Sequence, residues 1–185
     1  MIVLVAILLS QAGGRLSGFA ERLAERTGRS APVLAGVMLA QGMLAAVAIR
    51  IGMLLGPQVT PETRSLLLAV ALILVGIGMM GRLPPAGSSF GSVRLGVFGT
   101  ALLGAGSILL MDSGLALVAI AAARSPLPCA AWPGAVLGLL GALLPAILLG
   151  PREWRRLPWR PIRMTGGAIM ILIGIVIALS AKGLI

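Results

Sequence analysis

Long apolar stretches without charged residues dominate this chain and limit what it can fold into. They cover residues 1–14, 30–49, 65–81, 95–111, 125–151 and 164–181. Roughly twenty apolar residues in a helix span a bilayer, so each stretch is a transmembrane helix or most of one, the first if its helix continues to Ala20. Closed barrels also span membranes, but their strands alternate polar and apolar residues, and these stretches do not. The sequence predicts an all-α membrane protein with six transmembrane helices.

The charged residues lie mostly between the apolar stretches. The net charge is +10, from 15 basic and 5 acidic residues. Arginines concentrate in the first, third and fifth loops, at positions 22, 26, 29, 82, 94, 152, 155, 156, 160 and 163. The other loops and the C-terminal end carry Arg50, Arg64, Arg124 and Lys182, and Arg15 is not counted because it falls within a predicted span. By the positive-inside rule, we expect the odd-numbered loops in the cytoplasm and both termini outside, in a bacterial-type inner (plasma) membrane. This distribution explains the basic charge without a nucleic-acid partner, and we expect the lipid bilayer to be the partner.

The sequence lacks the residue types that several kinds of catalytic and metal sites require. The chain has no histidine and a single cysteine, Cys129, which leaves no His-based zinc site, no Ser-His triad and no thiolate cluster. No nucleophile–base pair or phosphate loop is present, so we expect neither an enzyme nor a resident cofactor. A signal peptide is an alternative interpretation of residues 1–14, although its positively charged leading region is missing.

The two halves of the chain match when one is shifted by 98 positions. The shift brings together Arg26 with Arg124, Gly36 with Gly134, Gly52 with Gly150, and Gly76 with Gly174. Coincidence in a chain rich in glycine and leucine is the alternative explanation. We predict a first three-helix repeat over 1–82, a linker over 83–95 and a second repeat over 96–185. Because each repeat holds an odd number of helices, the second enters the membrane from the opposite side, which is the inverted-repeat architecture of many secondary transporters.

Two charges fall inside predicted membrane helices. Arg15 follows Gly13 and Gly14, which weaken the first helix and favour a break or a close approach there, and the shift of 98 aligns Gly14 with Asp112. A charge at the bilayer centre costs about 2.5–3.5 kcal/mol even on a lenient scale, so Arg15 and Asp112 are each expected to find a partner, the obvious one being the other. A salt bridge joining the repeats, a cation- or proton-binding site at Asp112, and side chains that reach the membrane interface remain alternatives.

The segments around these charges carry a family resemblance. "QAGGRL" (Gln11–Leu16) and "LLMDSG" (Leu109–Gly114) stand where the transmembrane protein 165/Gdt family opens each of its two three-helix repeats with Glu-x-Gly-Asp-Lys-Thr. The segments "AERTGRSAPVLAG", "AAARSPL" and "LLPAILLG" are also similar to that family, so the resemblance covers nearly the whole chain. It implies an antiporter that exchanges manganese or calcium for protons.

The motifs themselves depart from the family pattern. In the first copy Gly13 matches, while Gln11, Gly14 and Arg15 replace the glutamate, aspartate and lysine. In the second copy Asp112 keeps its acid, while the other family residues are replaced by Leu109, Met111, Ser113 and Gly114. Manganese and calcium take oxygen ligands that usually include carboxylates; one carboxylate beside an arginine is a poor divalent site.

We therefore expect a secondary transporter of the divalent cation/proton exchanger type with a weakened or altered ion site. Its ion- or proton-binding residues are predicted to be Asp112, Gln11, Arg15 and Ser113, with Asp112 as the metal contact. A small inorganic cation and protons are the implied substrates. The alternative is a non-transporting membrane protein that keeps the exchanger fold as an assembly or regulatory partner.

Overall fold

All regular structure in the described part of the chain is helical. The computed structural model describes residues 2–81, 96–125, 127–156 and 158–183, so the predicted linker 83–95 lies outside the described residues. The helices are α1 (Ile2–Gln11), α2 (Arg15–Thr27), α3 (Ser30–Leu55), α4 (Pro61–Met80), α5 (Gly96–Leu110), α6 (Ser113–Arg124), α7 (Ala131–Arg156) and α8 (Trp159–Ala181). Short 3-10 turns follow α3 at Gly56–Gln58 and precede α7 at Pro128–Ala130. The all-α prediction is confirmed.

Four helices are long and apolar enough to cross a membrane. These are α3 with its following turn, α4, the part of α7 up to Ile147 with its preceding turn, and α8. The remaining four helices form two bent pairs: α1 meets α2 at 57°, and α5 meets α6 at 70°. If each bent pair is one span, the described residues hold six spans. The predicted first and fourth membrane helices are thus each broken in two.

The helix ends follow ordinary capping chemistry. Thr60 precedes α4, and its hydroxyl oxygen accepts a hydrogen bond from the Thr63 backbone N–H at 3.3 Å. Pro61 then occupies the first turn, where its missing N–H is no loss. At the C-terminal end of α2, Gly28 is the cap residue and has the left-handed conformation, φ 63°, which glycine adopts without strain.

The bent pairs pack crosswise against each other and against the long helices. α1 contacts α6 and α2 contacts α5, while α3 packs on α5 and α6, and α7 on α1 and α2. The interior between them is filled mainly by leucine, valine and alanine. Large apolar side chains such as Leu54, Leu74 and Leu172 remain more than half exposed on the outer faces. An apolar outer surface of this kind suits a lipid environment.

The close approach of α4 and α8 positions one wall of the site. A Cβ on Gly76 would stand 2.6 Å from the Gly167 carbonyl oxygen, and a Cβ on Gly167 would stand 2.7 Å from the Gly76 carbonyl oxygen. The two backbones therefore touch directly, as small residues permit between membrane helices. This contact carries the first turns of α8, with Trp159 and Arg163, against the end of α4 and the α1–α2 break.

Candidate functional site

The first helix break is built around two glycines. α1 ends at Gln11, Gly13 has φ +63°, and Gly14 is extended at the cap of α2. The left-handed conformation of Gly13 would strain any other L-residue. The ring of Trp159 also occupies the space beside it, since a Cβ on Gly13 would stand 2.7 Å from the Trp159 Cδ2 atom. In the structure the chain breaks at Gly13 and Gly14, and the Trp159 ring packs closely against Gly13.

The second break uses an acid instead of glycine. α5 ends at Leu110, and Asp112 is extended (φ −96°, ψ 135°) at the cap position of α6, which begins at Ser113. Aspartate is preferred at this position because its carboxylate can accept hydrogen bonds from the free backbone N–H groups of the helix's first turn. The carboxylate leans over the first turn of α6, with Oδ2 3.1 Å from the place of a Cβ on Gly114. The sequence interpretation placed Asp112 within a span but not at a helix break, although its type was a signal for one.

A hydrogen bond joins the two breaks. The Nε2 of Gln11, at the end of α1, donates to the Oδ2 of Asp112, 101 residues further along the chain. Gln11 is only 6% exposed. A hydrogen bond to a charged group is worth about 1.5–3 kcal/mol in proteins, and Asp112 is itself half-buried. The contact therefore stabilises the crossing of the two broken helices as well as the carboxylate.

The breaks open onto a polar cavity of about 260 Å³. Its lining contains all four residues predicted as ion- or proton-binding: Gln11, Arg15, Asp112 and Ser113. Ser10 and Gly14 also line it, and the remaining walls are largely apolar side chains of α2, α4 and α5. The structure thus brings together residues that are some hundred positions apart in sequence. Gly13 lies behind the cavity, beneath Trp159.

Arg15 and Asp112 share this cavity without forming an ion pair. Arg15 begins α2 and is exposed at the cavity opening, whereas the Asp112 carboxylate has Gln11 as its hydrogen-bond partner. Across residues 2–81 and 96–125, no salt bridge connects the two charges. In the structure an amide contact from Gln11, at the end of α1, stands in place of the direct partnership expected from the sequence.

A second arginine, missed as a site residue, lines the same cavity. Arg163 lies in α8, and its side chain is 7% exposed. Its Nε donates to the Met79 backbone carbonyl of α4 at 3.2 Å, while its Nη1 is buried with no hydrogen-bond partner among the described residues. The sequence interpretation counted Arg163 among the loop charges. Pro161 was the available signal, because proline is tolerated in the first turn of a helix. It indicates that α8 begins before the apolar stretch at residue 164 and therefore includes Arg163.

The charges around the cavity are one carboxylate and two guanidinium groups. Asp112, Arg15 and Arg163 come from the starts of α6, α2 and α8, and their formal charge is +1. Within the described ranges, no group of three or more His, Cys, Asp or Glu side chains is placed to hold a metal ion. The predicted oxygen ligands Gln11, Ser113 and Asp112 are therefore accompanied by more positive charge than the sequence suggested.

The fold and the site together define a helical membrane protein with a polar cavity at the meeting point of two broken helices. No family model matches the chain, and no curated protein or solved structure matches it either.

Proposed function

We propose that this protein is a secondary transporter built from two inverted repeats, with its solute site in the cavity between the helix breaks. The observation that carries the proposal is the Gln11–Asp112 contact, which joins the broken helix of one half to the broken helix of the other. Secondary transporters form their sites from discontinuous membrane helices at the repeat interface, because a break frees backbone groups and helix ends to face the solute. The lining of this cavity, with residues from both broken helices and from both halves of the chain, supports such a site.

Matched contacts support the two-repeat arrangement. A Cβ on Gly76 would meet the Gly167 carbonyl oxygen and Ile171, and a Cβ on Gly174 would meet the Ala69 carbonyl oxygen and Ile73. These two sets of contacts are related by the shift of 98 positions. Adding 98 to Gly76 gives Gly174, and subtracting 98 from the two partners of Gly76 gives the two partners of Gly174. A two-fold relation between the halves has this consequence, whereas chance similarity in composition does not.

A second matched pair lies on the other helices. Gly36 of α3 approaches Ala101 and the Leu102 backbone of α5, while Gly134 of α7 approaches Val3 and the Leu4 backbone of α1. These contacts are again related by the shift of 98. With three spans in each half, counting each bent pair as one, the odd number makes the halves enter the membrane from opposite faces.

The resemblance to the manganese or calcium/proton exchangers suggests how the site would work. Asp112 would be the ion-contacting or proton-exchanging group, Gln11 and Ser113 would offer neutral oxygens, and Arg15 would compensate charge. Arg163 adds a further positive charge that opposes a divalent cation. The proposal is therefore a transporter of the exchanger architecture whose divalent-ion site is weakened or altered.

Transport in proteoliposomes tests this function. The purified protein is reconstituted with a pH-sensitive dye inside, and manganese chloride, calcium chloride, sodium phosphate or sodium succinate is added outside. We expect at least one solute to cause protein-dependent proton movement that Asp112→Asn reduces by about tenfold or more, as loss of a charged ligand implies. Glu62→Gln is the matched control, because Glu62 is an exposed acid in the first turn of α4, away from the cavity.

The alternative function has a distinct outcome. A folded protein that moves none of these solutes, and that purifies in a stable complex from its native membrane, would be an assembly or regulatory partner. Transport that Asp112→Asn leaves unchanged would remove Asp112 from the site.

A further inference from the structure

The negative charge in the cavity is already engaged by the protein. The Asp112 carboxylate accepts the Gln11 amide and lies over the first turn of its own helix, α6, where the helix dipole favours a negative group. The charges of Arg15 and Arg163 also act on this carboxylate. A solute would meet a carboxylate whose partners are present before the solute arrives.

The hydrogen bonds of Arg163 are incomplete, although Asp112 is an opposite charge that acts on it. Arg163 is 7% exposed, its Nε is held by the Met79 carbonyl, and its Nη1 has no hydrogen-bond partner among the described residues. A charged donor buried without a partner is unfavourable. Because Arg163 lines the cavity, a solute bound there can supply the missing acceptor.

The start of α2 adds to this field. Arg15 begins a 13-residue helix whose cap, Gly14, contributes no side-chain hydrogen bond, and the first turn holds no acidic residue. The N–H groups of a helix start attract anions, and Gly14, Arg15 and Leu16 all line the cavity. The start of α6 is covered by Asp112, whereas the start of α2 has no carboxylate of its own.

We propose that the cavity binds a small oxyanion, a phosphate or a short carboxylate, with Arg163 and Arg15 as its charge partners and the start of α2 as a further donor. The inference rests on the proposed function insofar as the oxyanion is the transported solute. The planar fork of a guanidinium suits carboxylate and phosphate oxygens. A cavity of about 260 Å³ limits the solute to a few heavy atoms or a short chain. A divalent cation would instead face two guanidiniums and a carboxylate that is already hydrogen-bonded.

Equilibrium binding to the full-length protein in detergent tests the proposal without requiring transport. Sodium phosphate, sodium acetate and sodium succinate are titrated by calorimetry and by thermal shift, with sodium chloride and manganese chloride as comparison salts. We expect at least one oxyanion to bind about tenfold or more tightly than chloride, since a charge-assisted hydrogen bond supplies at least that ratio. Manganese is expected to leave the melting temperature unchanged.

Two arginine variants and a matched control locate the site. Arg163→Gln is expected to weaken oxyanion binding by about tenfold or more, and Arg15→Gln by several-fold. Arg124→Gln is the control, because Arg124 is exposed at the far end of α6 and does not line the cavity; binding should stay within about twofold of wild type. Arg163→Lys keeps the charge but loses the fork, so it should recover only part of the affinity. Arg15 is exposed, so its variant reports on the cavity even if Arg163→Gln fails to fold.

The outcomes separate this inference from the proposed function. If oxyanion binding depends on Arg163 or Arg15 but the same anion shows no flux in proteoliposomes, the result supports the binding site and rejects transport of that anion. Absence of oxyanion binding, or binding unchanged in both arginine variants, overturns the inference even if cation transport is observed. Manganese binding that Asp112→Asn abolishes would also overturn it.

Discussion

The indole ring of Trp159 lies against the backbone of Gly13, with Cδ2 2.7 Å from the place where a Cβ would stand. This contact ties the start of α8 to the break between α1 and α2, directly behind the cavity. Glycine is therefore needed at position 13 for two reasons: its left-handed backbone conformation and the lack of space for a side chain beside the ring.

Gly13→Ala should be more harmful than a matched glycine substitution. Alanine at φ +63° is strained by about 1–2 kcal/mol, and its methyl would overlap the Trp159 ring. Gly28→Ala has the same φ of +63° with no atom within 4 Å, so it should show the conformational penalty alone. Unfolding free energies from denaturant titration in detergent measure the difference, expected to exceed about 1 kcal/mol. Equal losses for the two variants would show that Trp159 yields without cost.

A double-mutant cycle checks the same contact. Trp159→Ala lowers stability by itself, but Gly13→Ala should then cost less than it does beside the native ring. Additive losses would contradict the overlap.

The backbone contact between α4 and α8 makes a second prediction. Gly76→Ala places a methyl 2.6 Å from the Gly167 carbonyl oxygen and should destabilise the protein by about 1–3 kcal/mol. Gly78→Ala, two residues along α4, meets no atom of the described residues within 4 Å and should be neutral or stabilise the helix by up to about 1 kcal/mol. Thermal melting in detergent distinguishes the two. Gly174→Ala should resemble Gly76→Ala, and a clear difference between those two would weaken the two-fold relation of the repeats.

The Gln11–Asp112 hydrogen bond predicts a third result. Gln11→Met keeps the side-chain length but removes the donor, which leaves the Asp112 carboxylate without its amide partner. We expect Gln11→Met to lower the unfolding free energy by about 1.5–3 kcal/mol. The same substitution should cost less when it is made in the Asp112→Asn variant. Ser10→Ala is the control: Ser10 lines the same cavity, but among the described residues its hydroxyl donates to the Ile7 carbonyl, at 3.2 Å, and not to Asp112. Similar losses for the two variants would mean that the contact between the breaks contributes little.

Membrane orientation yields the fourth prediction. The positive-inside rule places the first loop, ending at Ser30, in the cytoplasm and the fourth loop, with the exposed Cys129, outside. In intact cells, a membrane-impermeant maleimide should label Cys129. In a Cys129→Ser background, Ser30→Cys should be labelled only after permeabilisation. Labelling of both positions from the same side would contradict the odd number of spans between them.

Much of the site could be predicted from the sequence because it depends on rare residues in apolar surroundings. Asp112, Arg15 and the two glycines stood out, and with Gln11 and Ser113 they surround or support one cavity. The break at Gly13 followed from glycine's backbone freedom. The break at Asp112 was not predicted. An acid within an apolar stretch first suggests a buried charge that needs a partner, and a helix start at that residue is the less obvious interpretation.

The sequence by itself determined that the chain is all-helical and suited to a membrane, because apolar stretches of spanning length leave the backbone to satisfy its own hydrogen bonds. Only the tertiary structure decided which groups meet: that Gln11 takes the place beside Asp112 expected for Arg15, and that Arg163 turns inward from the start of α8. Such pairings depend on distances between helices far apart in sequence. Those distances are set by backbone contacts at glycines such as Gly76 and Gly167, whose partners no local pattern specifies.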